Sequence, residues 1–211
     1  MKYFLSLLLS LCISVCALAA EPSEDDKAIG NNMFLVAHAF KSGLGGPRDD
    51  EQAYYWLHEA AERGVAEAQY NVAVALTLGE GIPRNDVKAV YWYKKAAEQG
   101  YPDSQYNLAI MYQDGRGFPV NFKKALYWYK KAAKQGHAEA QHNLGRSYAV
   151  GDIVDQNLIY AYMWFSLSKI NSDELSLPEL NLVKTEMTTS EIQQAQKLAS
   201  SCFTSNYFDC P

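Results

Sequence analysis

Residues 70–105 read YNVAVALTLGEGIPRNDVKAVYWYKKAAEQGYPDSQ, and residues 106–141 read YNLAIMYQDGRGFPVNFKKALYWYKKAAKQGHAEAQ. These are one unit written twice. A third copy occupies 34–69 and a divergent fourth begins at His142 and runs to 172, so Trp56, Trp92, Trp128 and Trp164 fall 36 residues apart. A fixed period of this length marks a solenoid, in which each unit buries its apolar face against its neighbours. Such arrays present surfaces to partners, which points away from a single enzyme-like core.

Inside one unit the spacing is helical. Val72, Ala73 and Leu76 lie on one face of a first helix over 69–78. The run Gly79-Glu80-Gly81-Ile82-Pro83 ends it, because glycine takes the left-handed conformation of a helix stop and proline lacks the donor needed to continue. A second helix is expected from about 86 to 99, with Ala89, Trp92, Tyr93, Ala96 and Ala97 buried. Gly100 closes it and Pro102 opens the next unit. Across units, Val36, Val72, Leu108 and Leu144 form one packing column. Ala37, Ala73, Ala109 and Gly145 form a small one, and Phe40, Leu76, Tyr112 and Tyr148 a third. Ala53, Ala89, Ala125 and Ala161 repeat on the second helix, and the tryptophan ladder reads as core rather than as an aromatic cage for a ligand.

The pieces A-x-A-Q-Y/H-N-L-G/A-x-x-Y, G-x-G-x-P and K-A-x-Y-W-Y-K-K-A-A-x-Q-G resemble the Sel1-like repeat family over residues 34 to about 171. The resemblance implies an all-α fold, an α/α superhelix related to tetratricopeptide repeats, with a role in protein assembly and no enzymatic activity. The fourth copy departs from the pattern. Asp152-Ile153-Val154-Asp155 stands where G-x-G-x-P is expected, and Ser168-Lys169 replaces the alanine pair; a terminal repeat facing water on one side accounts for such drift. Residues 173–211 read as a helical cap. One helix is expected over 178–187, and a second starts at Thr188, whose capping box with Glu191 precedes the stripe Ile192, Ala195, Leu198 and Cys202. Residues 21–33, acidic and polar, read as a loose lead-in or first cap.

Residues 1–20 read as an export signal. Lys2 precedes an apolar run over 4–15, and Ala17-Leu18-Ala19 offers small residues for cleavage before Ala20 or Glu21. The competing reading is a membrane anchor, for which the run is short and lacks a basic stop-transfer cluster. The chain is therefore expected to be exported. Two of the four cysteines fall in this leader, and Cys202 and Cys210 remain, an even pair that an oxidising compartment would join. A bond between two molecules is the alternative.

The net charge is −5, and −6 once Lys2 is removed. No basic stripe invites nucleic acid. The glycine pairs follow no strand and lack the Gly-Lys-Ser/Thr of a phosphate loop, so they read as solenoid turns. His38, His58, His137 and His142 make no metal-ligand spacing, and no GxSxG elbow is present. No cofactor, metal or small-molecule substrate is expected. The surface of interest is the first helix of each unit, which lines the concave side of such superhelices. Tyr70, Asn71, Val74, Tyr106, Asn107, Ile110, His142 and Arg146 are the candidate partner-binding residues, and the competing reading is that they pack between repeats.

Coarser features of the whole chain also resemble the motor-ring members of this family. These are a short leader, 211 residues, three to four repeats and two remaining cysteines at the C-terminus. That resemblance implies a non-enzymatic, periplasmic place in the flagellar basal body beside MotY and the PomA/PomB stator. Two other readings are an immunity or inhibitor protein, or envelope adaptor, built from such repeats, and a cell-wall enzyme, which the missing catalytic constellation disfavours.

Overall fold

A computed structural model describes residues 22–171 and 176–211; the expected export signal lies outside the described residues. Among these the chain forms ten α-helices and no strand. Four antiparallel pairs follow one another: α1 (Glu24–Ser42) with α2 (Asp50–Glu62), α3 (Ala66–Leu78) with α4 (Asp86–Glu98), α5 (Pro102–Asp114) with α6 (Phe122–Ala133), and α7 (Ala138–Val150) with α8 (Leu158–Ile170). Each helix packs chiefly on its neighbours in the chain, which makes the stack a solenoid. Two more helices, α9 (Ser176–Thr185) and α10 (Thr189–Thr204), pack on α8.

The repeat is punctuated by identical chemistry at each turn. Gly43, Gly79, Gly115 and Gly151 end the first helices in the left-handed conformation. Asp49, Asn85, Asn121 and Asn157 then cap the second helices, each side chain accepting from the backbone N–H three residues on. The same four residues donate their own N–H to the carbonyls of Phe40, Leu76, Tyr112 and Tyr148, closing the turn. The second glycine of G-x-G has a different task. A Cβ on Gly81 would collide with the Asp50 carbonyl, and one on Gly117 would lie 2.7 Å from the Asp86 carbonyl oxygen. Each therefore lets the turn rest on the preceding repeat. Gly45, with no repeat before it, meets nothing.

The alanine columns are buried throughout, and so are Val72, Leu108 and Leu144. Val36, in the same column but with no repeat before it, is 38% exposed. Gly145 is required where Ala73 and Ala109 suffice, since a Cβ there would sit 2.6 Å from the ring of the buried Phe165. The tryptophans are less uniform than the sequence implies. Trp92 and Trp164 are buried, whereas Trp56 and Trp128 are half-buried. The His58 ring of the preceding repeat covers Trp92 at 5.4 Å. Lys94 stands at the matching place before Trp128 and turns to Glu98 at 3.6 Å instead.

The structure narrows two further expectations. The lead-in is not loose: Ser23 caps a continuous α1 through a capping box with Asp26, so 24–32 extend the first helix. The changes in the fourth repeat divide: Asp152, Asp155 and Lys169 face water, as a terminal repeat allows, and Ser168 does not. Ser168, fully buried, donates to the Ala138 carbonyl and accepts from Ser176 of α9. Met163, at the place of the half-exposed Tyr127, is buried, with Sδ 3.9 Å from Cys202 Sγ of α10. Asn171 holds the Tyr207 hydroxyl at 2.7 Å. Ser168, Met163 and Asn171 depart from the repeat because they seat the cap.

Candidate functional site

The eight residues proposed as a recognition face all lie on first helices: Tyr70, Asn71 and Val74 on α3, Tyr106, Asn107 and Ile110 on α5, His142 and Arg146 on α7. Their repeat spacing places them in register, and most of them are engaged in packing. Tyr70 lies 5.2 Å from the ring of Tyr101, the residue capping α5, and 6.0 Å from Tyr93 of α4. One period on, Tyr106 stacks on His137, the cap of α7, at 4.6 Å, and approaches Tyr129 at 6.0 Å. Each first-helix aromatic thus rests on the start of the next repeat. Val74 and Ile110 are half-buried against the core.

The electrostatics agree with a packed layer. Burial raises the Tyr70 phenol above its ordinary value, and the Asn107 side chain, hydrogen-bonded to it, draws it partly back. Burial pushes the Tyr93 and Tyr101 phenols up to about 12, and Tyr129 higher still. These hydroxyls stay neutral donors; Tyr129 donates to Gln113 Oε1 at 2.8 Å.

The polar members divide. Asn71 donates to the Glu67 carbonyl of its own helix at 2.8 Å. His142 is taken up by the cap: its Nδ1 lies 2.8 Å from Ser176 Oγ, its ring packs on Phe165 and its Nε2 lies 4.0 Å from Glu179. Arg146 alone is exposed. The face therefore offers tyrosine edges, half-buried amides and one arginine, with His142 removed from it. Among the described residues, no three His, Cys, Asp or Glu side chains are arranged to hold a metal, and no helix is long and apolar enough to cross a membrane.

A second surface, on the opposite helices, was not read from the sequence. Tyr55, Tyr91 and Tyr127 are half-exposed, each edge-on to the neighbouring tryptophan at 5.0–5.3 Å. Lys95 lies over Tyr91 at 5.1 Å and Lys131 over Tyr127 at 5.7 Å. The signal was present: an aromatic recurs at a position outside the buried stripe of YWYKK. Cys202 and Cys210, at the end of the cap, lie with Cα atoms 4.9 Å apart, within the span of a disulfide.

Helix pairs recurring in register, stacked through small-residue columns and closed by a helical cap, define a repeat scaffold for protein interaction. The Sel1 repeat family matches at residues 33–65, 66–101, 102–137 and 138–169, and the chain belongs to that family. Its structure is similar to that of c5321, a protective antigen of uropathogenic Escherichia coli strains displaying an SLR fold, with 29% identity and a TM-score of 0.75. That match covers 84% of this chain and only 39% of the other, so this chain spans well under half of that protein. A Sel1 repeat protein from Oxalobacter formigenes matches at 27% identity and a TM-score of 0.72, covering 85% of this chain and 73% of its own. The immunity protein Pa5087 of Pseudomonas aeruginosa is more distant, at 20% identity and a TM-score of 0.40 over 84% of this chain and 80% of its own. No curated protein matches the sequence.

Proposed function

We propose that this Sel1 repeat scaffold is a non-enzymatic, exported component of the sodium-driven polar flagellar motor. It resembles MotX, the T-ring protein, and acts in the periplasm near the outer membrane, joining MotY and helping to hold the PomA/PomB stator. The observation that carries the reading is a short repeat stack closed by a cap whose last two cysteines are within bonding range, behind a leader that reads as an export signal. A disulfide-closed cap is useful in an oxidising compartment and short-lived elsewhere.

A deletion strain tests it. Loss of swimming with intact filaments, restored by the wild-type chain, supports the motor role; normal swimming overturns it. Killing of the deletion strain by its siblings would point to an immunity protein. Because Val74 and Ile110 pack on the core, charge at either site unfolds the stack as well as altering its face. Arg146→Glu, at an exposed position, is the sharper probe of that surface. It is expected to keep the helical circular dichroism and reduce recovery with basal bodies.

A further inference from the structure

One groove recurs three times along the stack. It lies where a second helix ends in glycine: Gly64, Gly100 and Gly136. Its floor is a buried glutamine of the next first helix: Gln69, Gln105 and Gln141. Its far wall is the residue that donates to that glutamine: Gln99, Gln135 and Asn171, at 2.8, 2.8 and 2.9 Å.

The chain sets rings from its own ends against two of the three glycines. Pro22 covers Gly64, its Cγ 2.7 Å from where a Cβ would stand. Tyr207, from the tail after α10, covers Gly136, its Cε2 3.2 Å from the same point. The Tyr207 hydroxyl also donates to Asn171 Oδ1 at 2.8 Å, which locks the ring in place. Among the described residues no ring covers the middle glycine. No described residue comes within 4 Å of a Cβ on Gly100, and an open groove of about 530 Å³ remains, bordered by Tyr127, Lys131, Lys134 and Gln135.

We propose that the Gly100 groove docks a tyrosine carried on an acidic segment of a partner protein. The Tyr207 seat shows the ring that the groove accepts. Gln135 stands where Asn171 does and donates its Nε2 in the same way, which leaves Oε1 to accept a phenol hydroxyl. Charge selects the flanks. The groove at Gly64, of which Pro22 leaves about 330 Å³ open, is bordered by both signs, Lys27 and Lys95 with Glu62 and Glu98. At Gly100 the place of Glu98 is taken by Lys134, so Lys130, Lys131 and Lys134 line the groove with no carboxylate among them. On a chain of net charge −5 this is a local basic patch that an acidic segment neutralises.

The inference rests on the scaffold reading and not on the motor. The test is a titration of the purified, isotope-labelled protein with an end-blocked acidic heptapeptide bearing one central tyrosine. Amide shifts are expected at Gly100, Gln105 and Gln135. Changing the peptide's tyrosine to alanine, or the protein by Lys131→Glu with Lys134→Glu, is expected to weaken binding about tenfold, ~1.4 kcal/mol. Both lysines are exposed, so unchanged circular dichroism shows that the variant is folded. Equal binding of the alanine peptide, shifts on the Tyr70–Ile110 face instead, or binding of anionic phospholipid vesicles but not of the peptide overturns the proposal. Its failure leaves the swimming phenotype to decide the motor role on its own.

Discussion

Gln99 donates from Nε2 to Oε1 of Gln69 at 2.8 Å, and Gln69 donates in turn to the Ala61 carbonyl at 3.0 Å, so one buried amide ties three successive helices. The pattern repeats with Gln135, Gln105 and Ala97, and again with Asn171, Gln141 and Ala133. A buried amide left half-paired is costly. Gln105→Ala removes both links of the buried amide, although the Ala97 carbonyl keeps the Gly100 N–H, and is expected to cost about 2 kcal/mol. Gln135→Ala, which removes the more exposed partner, is expected to cost about 1 kcal/mol. Urea unfolding of both variants measures the ranking, and the reverse order would show that the ladder is not the fastening.

The tryptophans separate by burial. Trp164→Ala, at a fully buried site, is expected to cost about 3–5 kcal/mol. Trp128→Ala, at a half-buried one, is expected to cost about half as much. Trp164 Nε1 has no hydrogen-bond partner among the described residues, so its value lies in packing, and Trp164→Phe should recover most of the loss. Thermal melts of the three variants test this; equal losses at 128 and 164 contradict it.

Asp86 joins neighbouring repeats. Hydrogen bonds from Arg84 and then Arg116, which reaches it at 3.0 Å from the next repeat, hold its carboxyl at about 2, below the ordinary 3.8. A carboxyl lowered on folding contributes its full stability above about pH 4 and loses it as pH falls from 4 towards 2. Solvent around Arg84 screens the pair, so the contribution is about 1 kcal/mol. Asp86→Asn is expected to lower stability by that amount at pH 7 and to flatten the acid side of the stability curve. Urea midpoints from pH 7 to 2.5 measure it; parallel curves for the two proteins reject the assignment.

The cap is expected to depend on the cystine. Joining Cys202 to Cys210 closes a short loop, for which chain entropy gives roughly 2–3 kcal/mol. That loop carries Tyr207, whose φ is +65°, a conformation that a bulky residue holds only when its surroundings enforce it. Reduction should free Tyr207 from Gly136 and Asn171 and expose α8. Non-reducing peptide mapping is expected to find one joined pair and no free thiol, with faster proteolysis of the tail after reduction. Disulfide-linked dimers as the main species would falsify the pairing.

By itself the sequence determined the repeat, its two helices, the buried alanine and aliphatic columns and the capping box at Thr188. These follow from period and local chemistry, which twenty kinds of side chain write directly into a chain. Only the tertiary structure decided what covers each column. Trp92 is sealed and Trp128 is not because the residue opposite changes from His58 to Lys94. Tyr70 and Tyr106 read equally well as recognition or packing residues until the caps of the next repeats, Tyr101 and His137, were seen beneath them. His142 looked open until α9 was placed against it. The grooves at Gly64, Gly100 and Gly136 are alike in sequence, and they differ because residues far apart in the chain, Pro22 and Tyr207, fold back onto two of them. Burial is a property of neighbours in space, and a repeat fixes only those that recur with its period.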